Sequence, residues 1–224
     1  MCRRRRGSLT EDVRYPRVGV VIPAYNEEGT VESVIRAALS VTPDVTVISD
    51  GSTDATADVA RKAGARVIEF PVNRGKGAAM QEGMDSSPCD VIVFLDGDLL
   101  GLEPRHIREL MAPVLDGRAD MAVGVFRSGR KATDLAQRIS PWLSGQRAIR
   151  REAFKDIDLR DARFGAEVAL TDYARQRGAR VVMVPLYNVT HRMKEEKRGV
   201  IPGVIQRARM YADVIRRIAS RGRD

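Results

Sequence analysis

Residues 91–98 read Val91-Ile92-Val93-Phe94-Leu95-Asp96-Gly97-Asp98. Five apolar residues make a strand of the kind buried on both faces, and the run stops at two carboxylates one residue apart. Upstream the same pattern recurs. Apolar runs at 18–22, 45–48 and 65–70 read as strands. Helical patterns at 30–39, 54–63 and 76–84 fill the gaps, each introduced by glycine or a small polar cap. This alternation predicts an α/β fold, one mostly parallel central sheet flanked by helices. Such sheets bind ligands beyond the carboxyl ends of their strands.

Downstream, 119–126 is a further apolar run, followed by a glycine- and arginine-rich stretch around 127–130. Residues 165–177 read as a helix and 181–184 as a strand. The segment 201–219 has apolar side chains at 201, 204, 205, 208, 212, 215 and 219, close to a helical period. No repeat and no separate linker interrupts the chain.

The 224 residues suffice for one substantial core and are few for two independent enzymatic domains. Aromatic residues make up 5% of the chain, so that core relies on Val, Ile, Leu, Ala and Met. The net charge of +8 would suggest nucleic acid, but its distribution argues otherwise. Residues 1–14 carry +3 and 191–224 carry +6, leaving 15–190 at −1. The basicity belongs to the ends, and no specific nucleic acid is expected. Cys2 and Cys89 do not make a disulfide framework, which fits a reducing compartment. No apolar run approaches the ~20 residues that cross a bilayer, and no signal-peptide core follows Arg3–Arg6. The expected setting is cytoplasmic, with peripheral contact at the inner membrane surface left open.

The polar residues that stand out fall at strand ends. Asp96 and Asp98 can divide their work, one meeting a ribose or a bridging water while the other holds Mg²⁺ or Mn²⁺, which favour carboxylate and phosphate oxygens. A diphosphate leaving group needs that neutralisation as its negative charge grows. An Asp-Gly-Asp also makes an ordinary turn. Asp50 closes the second strand ahead of Gly51-Ser52-Thr53-Asp54, a turn feeding a helix start. Its carboxylate could accept a base N–H or a ribose hydroxyl, or simply face water, while Asp54 reads as a helix cap. In Asn73-Arg74-Gly75-Lys76-Gly77 two glycines around a lysine allow close backbone approach, at a spacing that is not a P-loop. Lys76 could hold a nucleotide or diphosphate, or stand in water.

Taken in order, residues 20–28, the Asp50-Gly51-Ser52-Thr53-Asp54 turn, Asn73-Arg74-Gly75-Lys76-Gly77 and Asp96-Gly97-Asp98 resemble family 2 glycosyltransferases, enzymes of the GT-A fold. The resemblance covers roughly 18–195. It implies that Pro23, Tyr25 and Glu27 line a nucleotide site, that Asp50 contacts the base, that Lys76 supports nucleotide binding, and that Asp96 and Asp98 serve ribose and metal. Many relatives have Asp-Asp-Gly where this chain has Ser49-Asp50-Gly51.

Two groups within the family share these features, the polyprenyl- or dolichyl-phosphate sugar synthases and the retaining glucosyl-3-phosphoglycerate synthases. Gly129-Arg130-Lys131-Ala132-Thr133-Asp134-Leu135 resembles the second group's Gly-Arg-x-Thr-Glu-Leu acceptor region, with one extra residue after arginine. Ser144-Gly145-Gln146-Arg147-Ala148 followed by Arg150-Arg151-Glu152 resembles its Gly-Glu-x-Ala-x-Arg-Glu segment. Phe164-Gly165-Ala166-Glu167 is similar to its Tyr-Gly-x-Glu, and Asn188-Val189-Thr190-His191-Arg192 to the stretch holding its metal-binding histidine. The implied acceptor-binding residues are Arg127, Gly129, Arg130, Thr133 and Arg147, whose cations suit a phosphate and a carboxylate. Glu167 and Asp98 are the implied catalytic residues, and Asp98 and His191 the implied metal ligands. Glu167 could instead accept bonds at a helix N-terminus and His191 could be a loop donor. His106 reads as structural or solvent-facing.

The expected protein is thus a basic, flexible tail (1–14), a catalytic domain (15–199) with nucleotide-binding (15–100) and acceptor (101–199) halves, and a carboxyl-terminal amphipathic helix (200–219) packed on the domain or a partner. Its expected reaction moves a sugar from a nucleotide-sugar donor, UDP-glucose favoured, to a small anionic acceptor such as 3-phosphoglycerate, with Mg²⁺ or Mn²⁺. The alternatives are a polyprenyl-phosphate sugar synthase using GDP-mannose or UDP-glucose on a lipid-phosphate acceptor, and a domain that binds nucleotide sugar without turnover. A homodimer is left open.

Overall fold

A computed structural model describes residues 15–127, 142, 144–162 and 165–192. The amino tail, the candidates Gly129, Arg130 and Thr133, and the helix expected near 201–219 lie outside the described residues. Among those described, the chain runs β1 (Val18–Ala24), α1 (Val31–Leu39), β2 (Val45–Asp50), α2 (Thr56–Lys62), β3 (Arg66–Phe70), α3 (Lys76–Asp85) and β4 (Val91–Phe94). It continues with β5 (Leu99–Leu100), α4 (Pro104–Leu115), β6 (Met121–Arg127), β7 (Arg147–Arg150), a 3₁₀ turn (Arg151–Phe154), α5 (Ala166–Gln176), β8 (Val181–Tyr187) and β9 (Thr190–His191).

The large sheet has the order β3-β2-β1-β4-β7-β6-β8, and β7 alone runs antiparallel to its neighbours. After β1 the chain moves outward to β2 and β3, then returns to place β4 on the other side. That reversal opens a crevice at the carboxyl ends of β1 and β4, where α/β sheets bind ligands. The apolar runs are continuous because both faces are covered. One face packs Val20, Ile22, Val45 and Val93 against Val31, Val34, Ile35 and Ala38 of α1 and Ile107, Leu110 and Val114 of α4. The other sets Val21, Ile92, Val123 and Ile149 against Ala78, Ala79, Met80 and Met84 of α3 and Ala166, Leu170 and Ala174 of α5. Helix α3 comes so close to β1 that a Cβ on Gly83 would overlap the Val21 side chain.

Three features depart from the sequence expectation. Strand β7 was not foreseen, because Arg147 and Arg150 interrupt any apolar alternation. The β5–β9 pair is only two residues per strand, too short to leave a periodic signal. Helix α2 starts at Thr56 rather than 54, with Ala55 at the N-cap, although Asp54 Oδ1 still accepts the Thr56 N–H at 3.0 Å. His106 takes the structural role: it is buried, and its Nδ1 accepts the Glu103 N–H at 3.0 Å at the start of α4.

Candidate active site

Strand β4 delivers Asp96 and Asp98 to the crevice, and the short β5–β9 ladder brings the last candidate to them. Leu99 pairs with His191 and Leu100 with Thr190, and the Arg192 N–H donates to the Asp98 carbonyl at 2.9 Å. His191 Nδ1 therefore lies 2.9 Å from Asp98 Oδ1 and 4.0 Å from Asp96 Oδ2, with the edge of its ring packed on Phe126 at a centroid separation of 4.9 Å. One ligand atom from each of Asp96, Asp98 and His191 lies within 4.8 Å of the others. Two carboxylates and one imidazole form a donor set suited to Mg²⁺ or Mn²⁺. Burial works against a charged His191, but the bond to Asp98 and the charges of Asp96 and Asp98 outweigh it and raise the imidazole pKa above its ordinary value.

Lys76 joins this cluster from the opposite wall. Gly75, at φ +92°, is the N-cap of α3, and Lys76 is the first helical residue. Its Nζ lies 2.5 Å from Asp96 Oδ1 and 2.5 Å from Glu167 Oε1. Glu167 stands in the first turn of α5, after Gly165 at the N-cap. The loop that leads into α5 packs directly on the first turn of α3 because Gly77 has no side chain; a Cβ there would overlap the Leu159 carbonyl oxygen and meet that of Ala162 at 2.7 Å. Burial disfavours the Lys76 ammonium, yet the Asp96 and Glu167 carboxylates more than reverse this and hold its pKa above the lysine range. For Asp96 burial pulls upward, while Lys76, His191 and Gln146 prevail and lower its pKa to about 2.

Gly145 and Gln146, which the sequence offers only as part of a longer motif, line this wall. Gln146 is fully buried, and its Nε2 donates to Asp96 Oδ2 at 2.9 Å while its Oε1 accepts from Ser144 Oγ at 2.9 Å. A Cβ on Gly145 would stand 2.5 Å from Asp96 Oδ2 and 2.6 Å from Lys76 Nζ, so the backbone passes directly against the ion pair. Nothing in a Ser-Gly-Gln string announces this; the signal would have been a glycine that adjoins a strand without making a turn.

The loops after β1 and β2 fasten to each other. Asn26 Oδ1 accepts the Thr53 N–H at 2.8 Å, Glu28 Oε2 the Ala55 N–H at 2.9 Å, and the Glu27 N–H donates to Thr56 Oγ1 at 2.8 Å. Glu27 also borders the metal-site loop, since a Cβ on Gly97 would meet its Cγ at 3.5 Å. Pro23 is half-buried within β1, and Tyr25 is exposed beyond its end. Asp50 is buried at the end of β2 and does not face water. Its two carboxylate oxygens accept the Arg74 and Gly75 N–H groups at 2.6 and 2.9 Å.

Arg147 corrects an expectation. It is 0% exposed, and its guanidinium donates to the carbonyls of Ser144 and Trp142, to Thr171 Oγ1 and to Met121 Sδ. Facing inward from β7, it turns its donors to these internal acceptors rather than to the surface. Burial pushes its pKa down to about 10 despite the opposing influence of Glu167 and Asp96. Arg127, in contrast, ends β6 at the carboxyl edge and is exposed.

Residues 19–174 match the family model described as glycosyl transferase family 2. The glucosyl-3-phosphoglycerate synthase of Mycobacterium tuberculosis is 37% identical over 123 residues, covering 49% of this chain and 37% of the relative. The dodecaprenyl-phosphate galacturonate synthase of Rhizobium johnstonii is 31% identical over 144 residues, covering 59% and 42%. Both matches thus span less than half of the relative's length. The crystal structure of the M. tuberculosis synthase with Mn²⁺, UDP-glucose and phosphoglyceric acid superposes with a TM-score of 0.65 at 29% identity, covering 80% of this chain and 72% of that one. A complex of the same enzyme with Mg²⁺ and UDP gives a TM-score of 0.66, also at 29% identity and with the same coverage.

Proposed function

The chain belongs to glycosyl transferase family 2 and is a glycosyltransferase of the GT-A fold, and on that footing we propose that it transfers glucose from UDP-glucose to a small anionic acceptor such as 3-phosphoglycerate. The observation that carries this reading is the convergence of Asp96, Asp98 and His191 with the Lys76–Glu167 pair at one point of the sheet edge. In this reading Asp98 and His191 hold Mg²⁺ or Mn²⁺, whose charge offsets the donor diphosphate, while Asp96 meets the ribose. The solved complexes of the M. tuberculosis synthase support that ion and that donor.

The protein's own side chains have separate tasks. Lys76 supplies a cation to the diphosphate side of the site, where charge grows as the sugar bond breaks. Glu167, its partner, stands where it can orient an acceptor hydroxyl or steady the sugar. Pro23, Tyr25 and Glu27 border the nucleoside. Arg127, exposed at the end of β6, would receive the acceptor's anionic group. The test is mass spectrometry of products formed from UDP-, GDP- and ADP-sugars offered with 3-phosphoglycerate or a polyprenyl phosphate. A glucosylated phosphoglycerate from UDP-glucose is the expected product; turnover of another pair alone would reject this assignment.

A second reading gives the acceptor as a polyprenyl phosphate, supported by the similarity to the R. johnstonii enzyme. Among the described residues no helix is long and apolar enough to cross a membrane. In this second reading the lipid is met by peripheral contact.

A further inference from the structure

The lysine at the centre of the site sits between two glycines, a context that does little to fix its direction. Its placement depends on what holds the start of α3. Asp50 Oδ1 accepts the Arg74 N–H at 2.6 Å and Oδ2 the Gly75 N–H at 2.9 Å, while the Asp50 carbonyl accepts from Asn73 Nδ2 at 3.1 Å. The side chain of Arg74 lies over the Phe70 ring at 4.5 Å, and Phe70 is the residue paired with Asp50 across β2 and β3. On the other flank, a Cβ on Gly51 (φ +68°) would come within 3.0 Å of Asn73 Cα. Residues 72–75 are thus gripped from the end of β2, and the grip falls on Gly75, one residue ahead of Lys76. A carboxylate here also meets the positive end of the ten-residue helix α3.

We propose that Asp50 is a positioning residue for Lys76, clamping the Arg74 and Gly75 amides so that the ammonium stands between Asp96 and Glu167. Each oxygen of its carboxylate is engaged by one of these loop amides. The clamp is independent of any ligand; its consequence for binding rests on the reading of this site as a nucleotide-sugar site.

The experiment compares wild type with Asp50→Asn, which keeps the shape but turns an amide NH₂ toward one of the two N–H groups. Without ligand, the acetylation rate of Lys76 by acetic anhydride is followed by peptide mass spectrometry, with exposed Lys62 and Lys155 as internal controls. Lys76 labelling is expected to rise about tenfold, the low end for a lost charge-assisted bond, with the controls unchanged and the melting temperature lowered by several degrees while the unfolding transition stays cooperative. Gly75→Ala, which strains the φ +92° residue without touching Asp50, should raise it as well. In calorimetry with Mn²⁺, Asp50→Asn should weaken UDP but not uridine, and the loss should vanish in a Lys76→Met background. Unchanged Lys76 labelling in both variants overturns the proposal. So does an equal loss of uridine and UDP affinity that persists without Lys76, since that is the behaviour of a base contact. Failure of the wild type to bind UDP would sink the functional reading instead, and the labelling result would still decide for or against the clamp.

Discussion

His191 Nδ1 lies 2.9 Å from Asp98 Oδ1 although 93 positions separate the two residues. The link is backbone-built: β9 pairs with β5 so that His191 stands opposite Leu99, the residue after Asp98, and the Arg192 N–H closes on the Asp98 carbonyl. A candidate ligand pair held by a ladder is pre-organised, so an ion bound there would not have to order a loop first.

Replacing Asp98 by Asn should therefore leave the fold intact, because the amide oxygen still faces His191, and yet weaken metal-dependent UDP binding. A loss on the order of 10- to 100-fold is expected, the range for even an outer-shell partner. Calorimetry with UDP and Mn²⁺ measures it; an unchanged affinity would remove Asp98 from the metal site.

The same pair sets a pH dependence. Burial opposes the His191 charge, but Asp98 and Asp96 outweigh it, so the metal-free imidazole titrates above its usual 6.5. A folded pKa raised above the unfolded one gives stability that is fully present below the unfolded value and lost as pH rises through the folded value. The metal-free protein should thus lose part of its stability as pH climbs from about 6.5 through the raised pKa. Mn²⁺ needs the neutral ring, so its affinity should rise over that same window. Melting curves with and without Mn²⁺ should diverge as pH increases, and curves that converge would contradict the assignment. In His191→Ala the divergence should disappear.

Parallel strands and their acidic ends were legible in the sequence because β1, β2 and β4 are buried on both faces and so read as unbroken apolar runs. What Asp50 and Arg147 do was not legible, for opposite reasons. Asp50 looks like a free strand-end carboxylate until the loop 24 and 25 positions downstream returns its amides to it. Arg147 looks like a surface cation because arginine is seldom fully buried. Only the antiparallel insertion of β7 between β4 and β6 turns its side chain inward, onto carbonyls that no local pattern could foretell. Long-range pairing decided both roles.

Gly145 offers a steric test of the wall behind Asp96. Alanine there would place a methyl group 2.5–2.6 Å from the Asp96 oxygens and Lys76 Nζ, so one of them must move. Overpacking of this kind costs about 1–3 kcal/mol. Gly145→Ala is expected to lower the melting temperature modestly and to weaken UDP binding; wild-type affinity would show that the Asp96–Lys76 pair can shift without consequence.

The last prediction separates two arginines that the sequence grouped together. Arg127 is exposed at the carboxyl end of β6. Arg147 is fully buried, and its donors hold the carbonyls of Trp142 and Ser144 and the hydroxyl of Thr171, which itself donates to the Glu167 carbonyl at 2.8 Å. Removing the guanidinium empties a core position and leaves those acceptors without partners. Arg147→Ala should therefore cost about 3–5 kcal/mol of stability, visible as a large fall in melting temperature or in the denaturation midpoint. If 3-phosphoglycerate is the acceptor, Arg127→Ala should leave the melting temperature in place and raise the acceptor KM at least about tenfold, the scale of one charge-assisted contact, while sparing UDP-glucose affinity. The reverse pattern, with Arg147→Ala stable and selectively impaired for the acceptor, would mean that its side chain turns outward during turnover. An Arg127→Ala enzyme with normal acceptor kinetics would take that residue out of the acceptor site.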